Sequence, residues 1–336
     1  MIISKRKQTL NPYINYNSFT FLRLALAIGV IFSHTFPLYG SSEYSFFGLN
    51  LGTLCVHMFF ALSGYLVTKS WVKVPQTLPF LVNRVFRLAP GLLLAILLSN
   101  SLSNVSTHYS HNPVPFIANG PIWTLPWEIA CYLGLLFFGI IRTWTTQSIP
   151  IIYSLFIVLF VFNQGDIPSI STQVVGVMLL MFVGGGLVAS LEQVIRWRWI
   201  GPLSAICLLL TVPPLKPTFL VAFRKIPLVY GPQISDERLI TTVYILALPF
   251  FLIWIGAHIK FKLILKPDFS YGIYIYGWAV QQFVWAHFHR HLNHTTYFLS
   301  SLLITTIISS ISWYLIESPI LERKQSFTIF LKTLLK

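Results

Sequence analysis

The chain has 336 residues, of which 55% are apolar, 16% aromatic and only 10% charged, whereas roughly a quarter of an ordinary soluble domain is charged. With a mean hydropathy of +0.71, this excludes a soluble globular protein and specifies an all-α integral membrane protein. The formal net charge of +14 suits either a nucleic-acid partner or one face of a membrane, and the positions of the cations decide between them.

Apolar runs of about 17–25 residues predict roughly ten spans, over 18–39, 50–70, 81–101, 121–141, 149–163, 173–191, 197–214, 239–258, 269–288 and 296–316. No repeat or long polar tract interrupts them, so a single membrane domain over 1–336 with no added soluble catalytic domain is expected. The first run is too long for a removable signal peptide and lacks a small-residue cleavage site. Placing the N-terminus inside puts 17 cations on the inner side: Lys5, Arg6, Lys7, Lys69, Lys73, Arg84, Arg87, Arg142, Arg196, Arg198, Lys260, Lys262, Lys266, Arg323, Lys324, Lys332 and Lys336. Only Lys216, Arg224, Lys225, Arg238 and Arg290 then lie outside, mostly in a proline-rich loop over 215–238 (Pro213, Pro214, Pro217, Pro227, Pro232). That asymmetry predicts cytoplasmic termini and explains the charge as topology, with no nucleic acid. Cys55, Cys131 and Cys207 sit in apolar runs at unrelated spacing, as free thiols do.

Within the first span Arg23 and His34 are eleven residues apart. At about 100° per residue they return to one helical face, about 16 Å apart along the axis. Ionisable groups inside a span are costly and face a polar cavity or the bundle interior. Counting from the inner surface puts Arg23 near the cytoplasm and His34 about 24 Å along, in the outer half. In the second span, Ser63 and Gly64 amid large apolar residues suit close helix packing, and His57 reads as a core histidine bonded to a neighbouring helix.

The third span opens with Arg84 and Arg87, at i and i+3 on one face before Pro90. The pair suits a phosphate-bearing ligand or anionic lipid heads at the cytoplasmic surface. The fourth opens with Trp123, Pro126 and Glu128. Glu128 is expected at most about 15 Å below the outer surface, near His34's depth, where a carboxylate needs a partner or a wet cavity. Pro126 suggests that the regular helix begins nearby, so that Glu128 feels its positive end. Tyr271, Tyr274 and Trp278 form an aromatic stripe along the ninth span, ahead of Gln281 and Gln282. His287, His289, His291 and His294 follow with no acidic or cysteine companion, so no metal site is expected.

In order, Arg23 with ten residues before His34, Phe59-Phe60-Ala-Leu-Ser63-Gly64-Tyr65, Arg84-Val-Phe-Arg87-Leu-Ala-Pro90, Trp123-Thr124-Leu125 with Glu128, Ser270-Tyr271-Gly-Ile-Tyr274 and Tyr314-Leu-Ile-Glu317-Ser-Pro319 resemble the membrane-bound acyltransferase 3 family. These are bacterial proteins that O-acylate polysaccharides and other envelope molecules. The resemblance implies transfer of an acyl group, commonly acetyl, from cytoplasmic acyl-CoA to a hydroxyl of a surface polysaccharide or lipid-linked glycan. It places the chain in the bacterial cytoplasmic membrane and identifies acetyl-CoA as co-substrate, with no permanently bound cofactor. His34 falls on the family's catalytic histidine, Arg23 on its paired arginine, and Arg84 with Arg87 on the pair linked to donor handling. Glu128 is expected to orient or charge-balance the imidazole. Ser63, Trp123, Tyr271 and Tyr274 are candidate pocket-lining residues. Many members carry a histidine where this chain has Gly277, so no second histidine is assigned there. A homo-oligomer or an envelope-synthesis complex suits this role. The competing reading is a transporter or flippase of an envelope precursor, since many spans with buried charge also suit a carrier.

Overall fold

The computed structural model describes residues 16–43, 45–46, 49–141, 143, 148–162, 170–192, 197–225, 235–259 and 268–334. Lys5, Arg6, Lys7, Arg142, Arg196, Lys260, Lys262, Lys266, Lys336, Pro227 and Pro232 lie outside the described residues. In chain order come α1 (Tyr16–Tyr39), a hairpin of β1 (Ser45–Phe46) and β2 (Leu49–Asn50), α2 (Leu51–Lys73), α3 (Thr77–Val105), α4 (Leu125–Ile140), α5 (Ser148–Phe162), α6 (Ile170–Leu191) and α7 (Trp197–Leu209). Then follow α8 (Lys216–Phe223), α9 (Asp236–His258), α10 (Ser270–Phe288), α11 (His294–Ser312), α12 (Ser318–Glu322) and α13 (Lys324–Leu334), with a π-helical turn at Trp313–Glu317 joining α11 to α12. Among the described residues the bundle is all-α apart from the hairpin, which pairs Ser45 with Asn50.

Seven helical segments among the described residues are long and apolar enough to cross a bilayer: those built on α1, α2, α3, α4, α6, α9 and α11. Two more, α5 and α7, are apolar but shorter. The 215–238 loop begins with a helix, α8, whose first turn carries Pro217, because proline suits the start of a helix where no N–H is needed.

A multi-pass membrane protein turns the usual amphipathic pattern inside out, and α11 does so plainly. Leu299, Leu303, Ile307 and Ile311 form an exposed stripe at i, i+4, i+8 and i+12, whereas Ser301, Thr305, Ser309 and Ser312 are buried on the other side. Bulky aliphatics face lipid and small hydroxyl residues face protein, where they let helices approach. The inner neighbour is α10, and a Cβ at its Gly272 would lie 2.9 Å from the Ser309 Cβ. No residue from Ser270 to Ala286 is exposed. A helix enclosed in this way keeps tyrosines, tryptophan and two glutamines, because neighbouring helices supply their partners.

The closest packing joins α2 to α6. A Cβ at Gly64 would stand 1.9 Å from the Phe182 carbonyl oxygen, and one at Gly185 2.0 Å from the Ala61 carbonyl oxygen. Hydrogen in place of a methyl lets these backbones touch, which is the packing expected of Gly64. His57 is buried with its Nδ1 3.0 Å from the Tyr244 hydroxyl, as a core histidine should be.

Candidate active site

Three helices start at one end of the bundle and carry charge into it. Arg23 comes from α1, Arg84 and Arg87 from α3, and Asp268 stands just before α10. One Asp268 oxygen, Oδ2, accepts from Arg23 Nη2 at 2.8 Å and from Arg87 Nη2 at 2.6 Å. The other, Oδ1, accepts from the Ser270 backbone N–H at 3.3 Å and from the Ser270 hydroxyl, so the carboxylate also caps α10. Arg84 takes a different environment. Its guanidinium lies 5.7 Å from the Phe80 ring centre and 5.6 Å from that of Tyr132, two faces suited to a cation.

Glu128 arrives from the first turn of α4. Its Oε1 accepts from the Tyr132 hydroxyl, one helical turn on, and that hydroxyl is 3.1 Å from Ser63 Oγ. Arg23, Arg84, Arg87, Glu128, Ser63, Tyr271 and Tyr274 thus line one cavity of about 140 Å³, with Phe59 and Phe60 among its apolar walls. Its lining carries three guanidinium groups against the Glu128 carboxylate, with Asp268 behind two of them. The Nε atoms of Arg23 and Arg84 are buried and make no hydrogen bond among the described residues. Buried donors without partners are uncommon, and here they border a cavity whose lining carries three guanidinium groups to one carboxylate, with Asp268 and Glu317 acting on Arg87 from behind; such a lining suits an anionic ligand.

The tyrosines of α10 are fastened to α3 and α4. Tyr271 donates to the Leu88 carbonyl at 2.9 Å, on the turn before Pro90. The Tyr274 and Thr124 hydroxyls are 2.7 Å apart. One turn further along α10, about 6 Å beyond Tyr274, Trp278 meets His34 edge to face with ring centres 4.8 Å apart. The aromatic stripe therefore runs from the arginine cavity to the imidazole. His34 itself does not line that cavity. Its Nδ1 is buried without a hydrogen-bond partner among the described residues.

Gln281 fixes the segment around His34 by donating to the Ile31 carbonyl at 2.9 Å and to Thr35 Oγ1 at 3.1 Å. Gly277 allows this approach, since a Cβ there would fall 2.7 Å from Ile31 Cγ1. Ser33, next to His34, accepts from the Gly52 N–H at 2.7 Å, and Glu43 holds the same turn through Asn50 Nδ2 at 2.9 Å.

The two candidate catalytic groups are not partnered with each other. Glu128 sits with Tyr132, Ser63 and the arginines, and His34 sits with Trp278. The difference arises in the α3–α4 connection, which folds inward. Asn119 donates to the Ile275 carbonyl at 2.8 Å, and a 3-10 turn over Pro121–Thr124 then packs at the level of Tyr274. The regular helix therefore starts deeper than a surface count places it, and Pro126 falls in its opening turn. That turn also directs Trp123 outward, 47% exposed, and it does not line the cavity; Thr124 and Leu125 do.

Asp268, Tyr132 and Gln281 are the site residues that periodicity did not assign. Asp268 carries one local signal, an acid placed two residues ahead of Ser270 where a helix begins. Tyr132 carries another, four residues after Glu128 on the same face.

The profile of a family described as an acyltransferase domain matches residues 16–314. A protein of Shigella phage Sf6 named O-acetyl transferase is 26% identical over 346 aligned residues, covering 91% of this chain and 96% of the relative. No solved structure matches the chain. With the family profile spanning the elements that carry Arg23, His34, Arg84, Arg87, Glu128 and the α10 tyrosines, the chain belongs to the acyltransferase 3 family of membrane proteins.

Proposed function

We propose that the protein is an O-acetyltransferase of the bacterial cytoplasmic membrane. It moves acetyl from cytoplasmic acetyl-CoA to a hydroxyl of a surface polysaccharide or lipid-linked glycan. About ten spans with both termini inside place the arginine cavity at the cytoplasmic end and His34 toward the outer one. The observation that carries the reading is the line from three arginines around one cavity, along Tyr271, Tyr274 and Trp278, to the His34 ring. The name of the phage relative, which aligns over nearly its whole length, supports acetyl as the group moved.

Arg23, Arg84 and Arg87 hold the phosphates of the donor, whose charge the partnerless Nε groups of Arg23 and Arg84 and the three guanidinium groups of the lining favour. The extended pantetheine arm carries the acetyl group inward over about 16 Å, the rise between Arg23 and His34. His34 takes the proton of the acceptor hydroxyl as its oxygen attacks the thioester carbonyl. Collapse of the tetrahedral adduct breaks the C–S bond, and the departing sulfur recovers that proton from the imidazolium. Glu128 acts through Tyr132, holding its hydroxyl and balancing Arg84.

The test is the O-acetyl content of surface glycan in a deletion strain carrying wild type or His34→Ala, at equal levels in the membrane fraction. Wild type restores acetylation and His34→Ala does not. Full acetylation by His34→Ala removes the general-base role.

A further inference from the structure

A second and larger cavity, of about 440 Å³, lies at the other end of the bundle. One wall is the end of α3 with the turn after it, including Ser106, Thr107 and Asn112; the other is the end of α10, including Trp285, His289 and Arg290. From Arg87 to Val105 along α3 is about 27 Å, and from Tyr271 to Trp285 along α10 about 21 Å. The two cavities therefore sit about 21–27 Å apart along these helices. Trp278, against His34, is midway along α10, about 10 Å from each of Tyr271 and Trp285.

We propose that this second cavity binds the acceptor as an anionic sugar unit, carboxylated or phosphorylated; the inference rests on the acyltransferase reading. Its size falls in the range of about 300–1,000 Å³ usual for small-molecule sites. Arg290 supplies a permanent positive charge and a planar fork for an anion, and among the described residues no carboxylate lines the cavity. Trp285 supplies an aromatic surface, stacked on His289 with ring centres 4.1 Å apart and planes 11° apart. The Nδ1 atoms of His287 and His289 lie 3.0 and 2.8 Å from the Phe283 and Trp285 carbonyls. With Nδ1 turned to a backbone carbonyl, Nε2 of each ring is left to meet a sugar hydroxyl.

The opposite wall is built before any ligand arrives. Thr107, His108 and Tyr109 all adopt left-handed backbone, with φ of 50°, 54° and 56°. Non-glycine residues hold that conformation only where their surroundings enforce it, and such places gather at functional sites. Here Tyr109 is fully buried. Asn112 donates to Gln282 Oε1 at 2.6 Å and to its carbonyl at 2.9 Å, and Gln282 donates to the Val114 carbonyl at 2.7 Å. The turn is bolted to the same helix that bears Trp278 against His34.

The experiment uses full-length protein in nanodiscs and end-labelled fragments of the source cell's own surface glycan, followed by fluorescence anisotropy. Fragments are used native, with carboxyls reduced, and after dephosphorylation. Native fragments bind wild type, Trp285→Ala and Arg290→Gln each weaken binding at least tenfold, Arg290→Lys retains part of it, and one of the two chemical treatments weakens it to the same degree. Size exclusion establishes that each variant remains folded. Absence of binding by wild type, equal binding by folded Trp285→Ala and Arg290→Gln, or indifference to both treatments overturns the proposal. Acetyl transfer in the same nanodiscs is scored separately. Its failure alongside intact glycan binding removes the enzyme reading and leaves the binding site.

Discussion

Replacing Asp268 by asparagine isolates the electrostatics of the arginine cluster. Two guanidinium nitrogens lie 2.8 and 2.6 Å from one carboxylate oxygen, so they cannot be more than 5.4 Å apart. At an effective dielectric of about 20, two unit charges at that separation repel by about 3 kcal/mol. Asp268→Asn removes the charge that holds them and keeps the shape. Arg23, Arg87 and Asp268 are only partly buried, so the expected loss of stability is about 1–3 kcal/mol, below that of breaking a fully buried pair from one side. In a chain of this size that is a fall of about 1–4 °C in the midpoint of thermal unfolding. Two further readings follow from the same geometry. Arg87→Gln in the Asp268→Asn background removes the repulsion, so the double variant is less destabilised than the two single changes together predict. With acetyl-CoA as the proposed donor, its addition is expected to raise the midpoint of Asp268→Asn more than that of wild type, its phosphates replacing the missing countercharge. Unfolding in nanodiscs, with and without donor, measures all three. An Asp268→Asn midpoint equal to wild type, or additive effects with Arg87→Gln, would show that the three groups are not coupled as described.

Arg84→Gln should raise KM for acetyl-CoA by about tenfold to a hundredfold, the weight of one charge-assisted hydrogen bond, with Arg84→Lys between it and wild type; steady-state kinetics at saturating acceptor would show it. Tyr132→Phe removes the hydroxyl shared by Glu128 and Ser63 and should lower turnover about tenfold while leaving membrane levels unchanged, as quantitative blotting and acetyl release would report. Gly64→Ala places a methyl 1.9 Å from the Phe182 carbonyl oxygen, whereas Gly134→Ala meets nothing within 4 Å; the first should deplete folded protein from the membrane fraction and the second should not.

Much of this architecture is legible from composition and spacing. The runs of apolar residues fall on helices because a bilayer demands that backbone groups be satisfied within each segment. Arg23 stands out because a charge within a span is costly, and Arg84 with Arg87 as an i, i+3 pair on one face; that the three line one cavity is visible only in the structure. What spacing along a helix does not carry is lateral arrangement. Depth alone suggests that Glu128 and His34 meet, whereas Glu128 bonds Tyr132 one turn along its own helix and lines the cavity of the arginines instead. Asp268 meets Arg87 across 181 residues of sequence, a contact no local pattern encodes. Gln281 and Gln282 were visible as polar residues within a span, yet their roles depend on which neighbouring carbonyls they reach.

The most direct test of transfer across the bundle places the purified protein in sealed proteoliposomes, with labelled acetyl-CoA outside and acceptor glycan enclosed. In the population oriented with the arginine cavity outward, the enclosed glycan becomes acetylated with wild type and not with His34→Ala. Acetylation that proceeds equally with His34→Ala, or only when donor and acceptor share one side, would show that this bundle does not carry the acyl group from its arginines to His34.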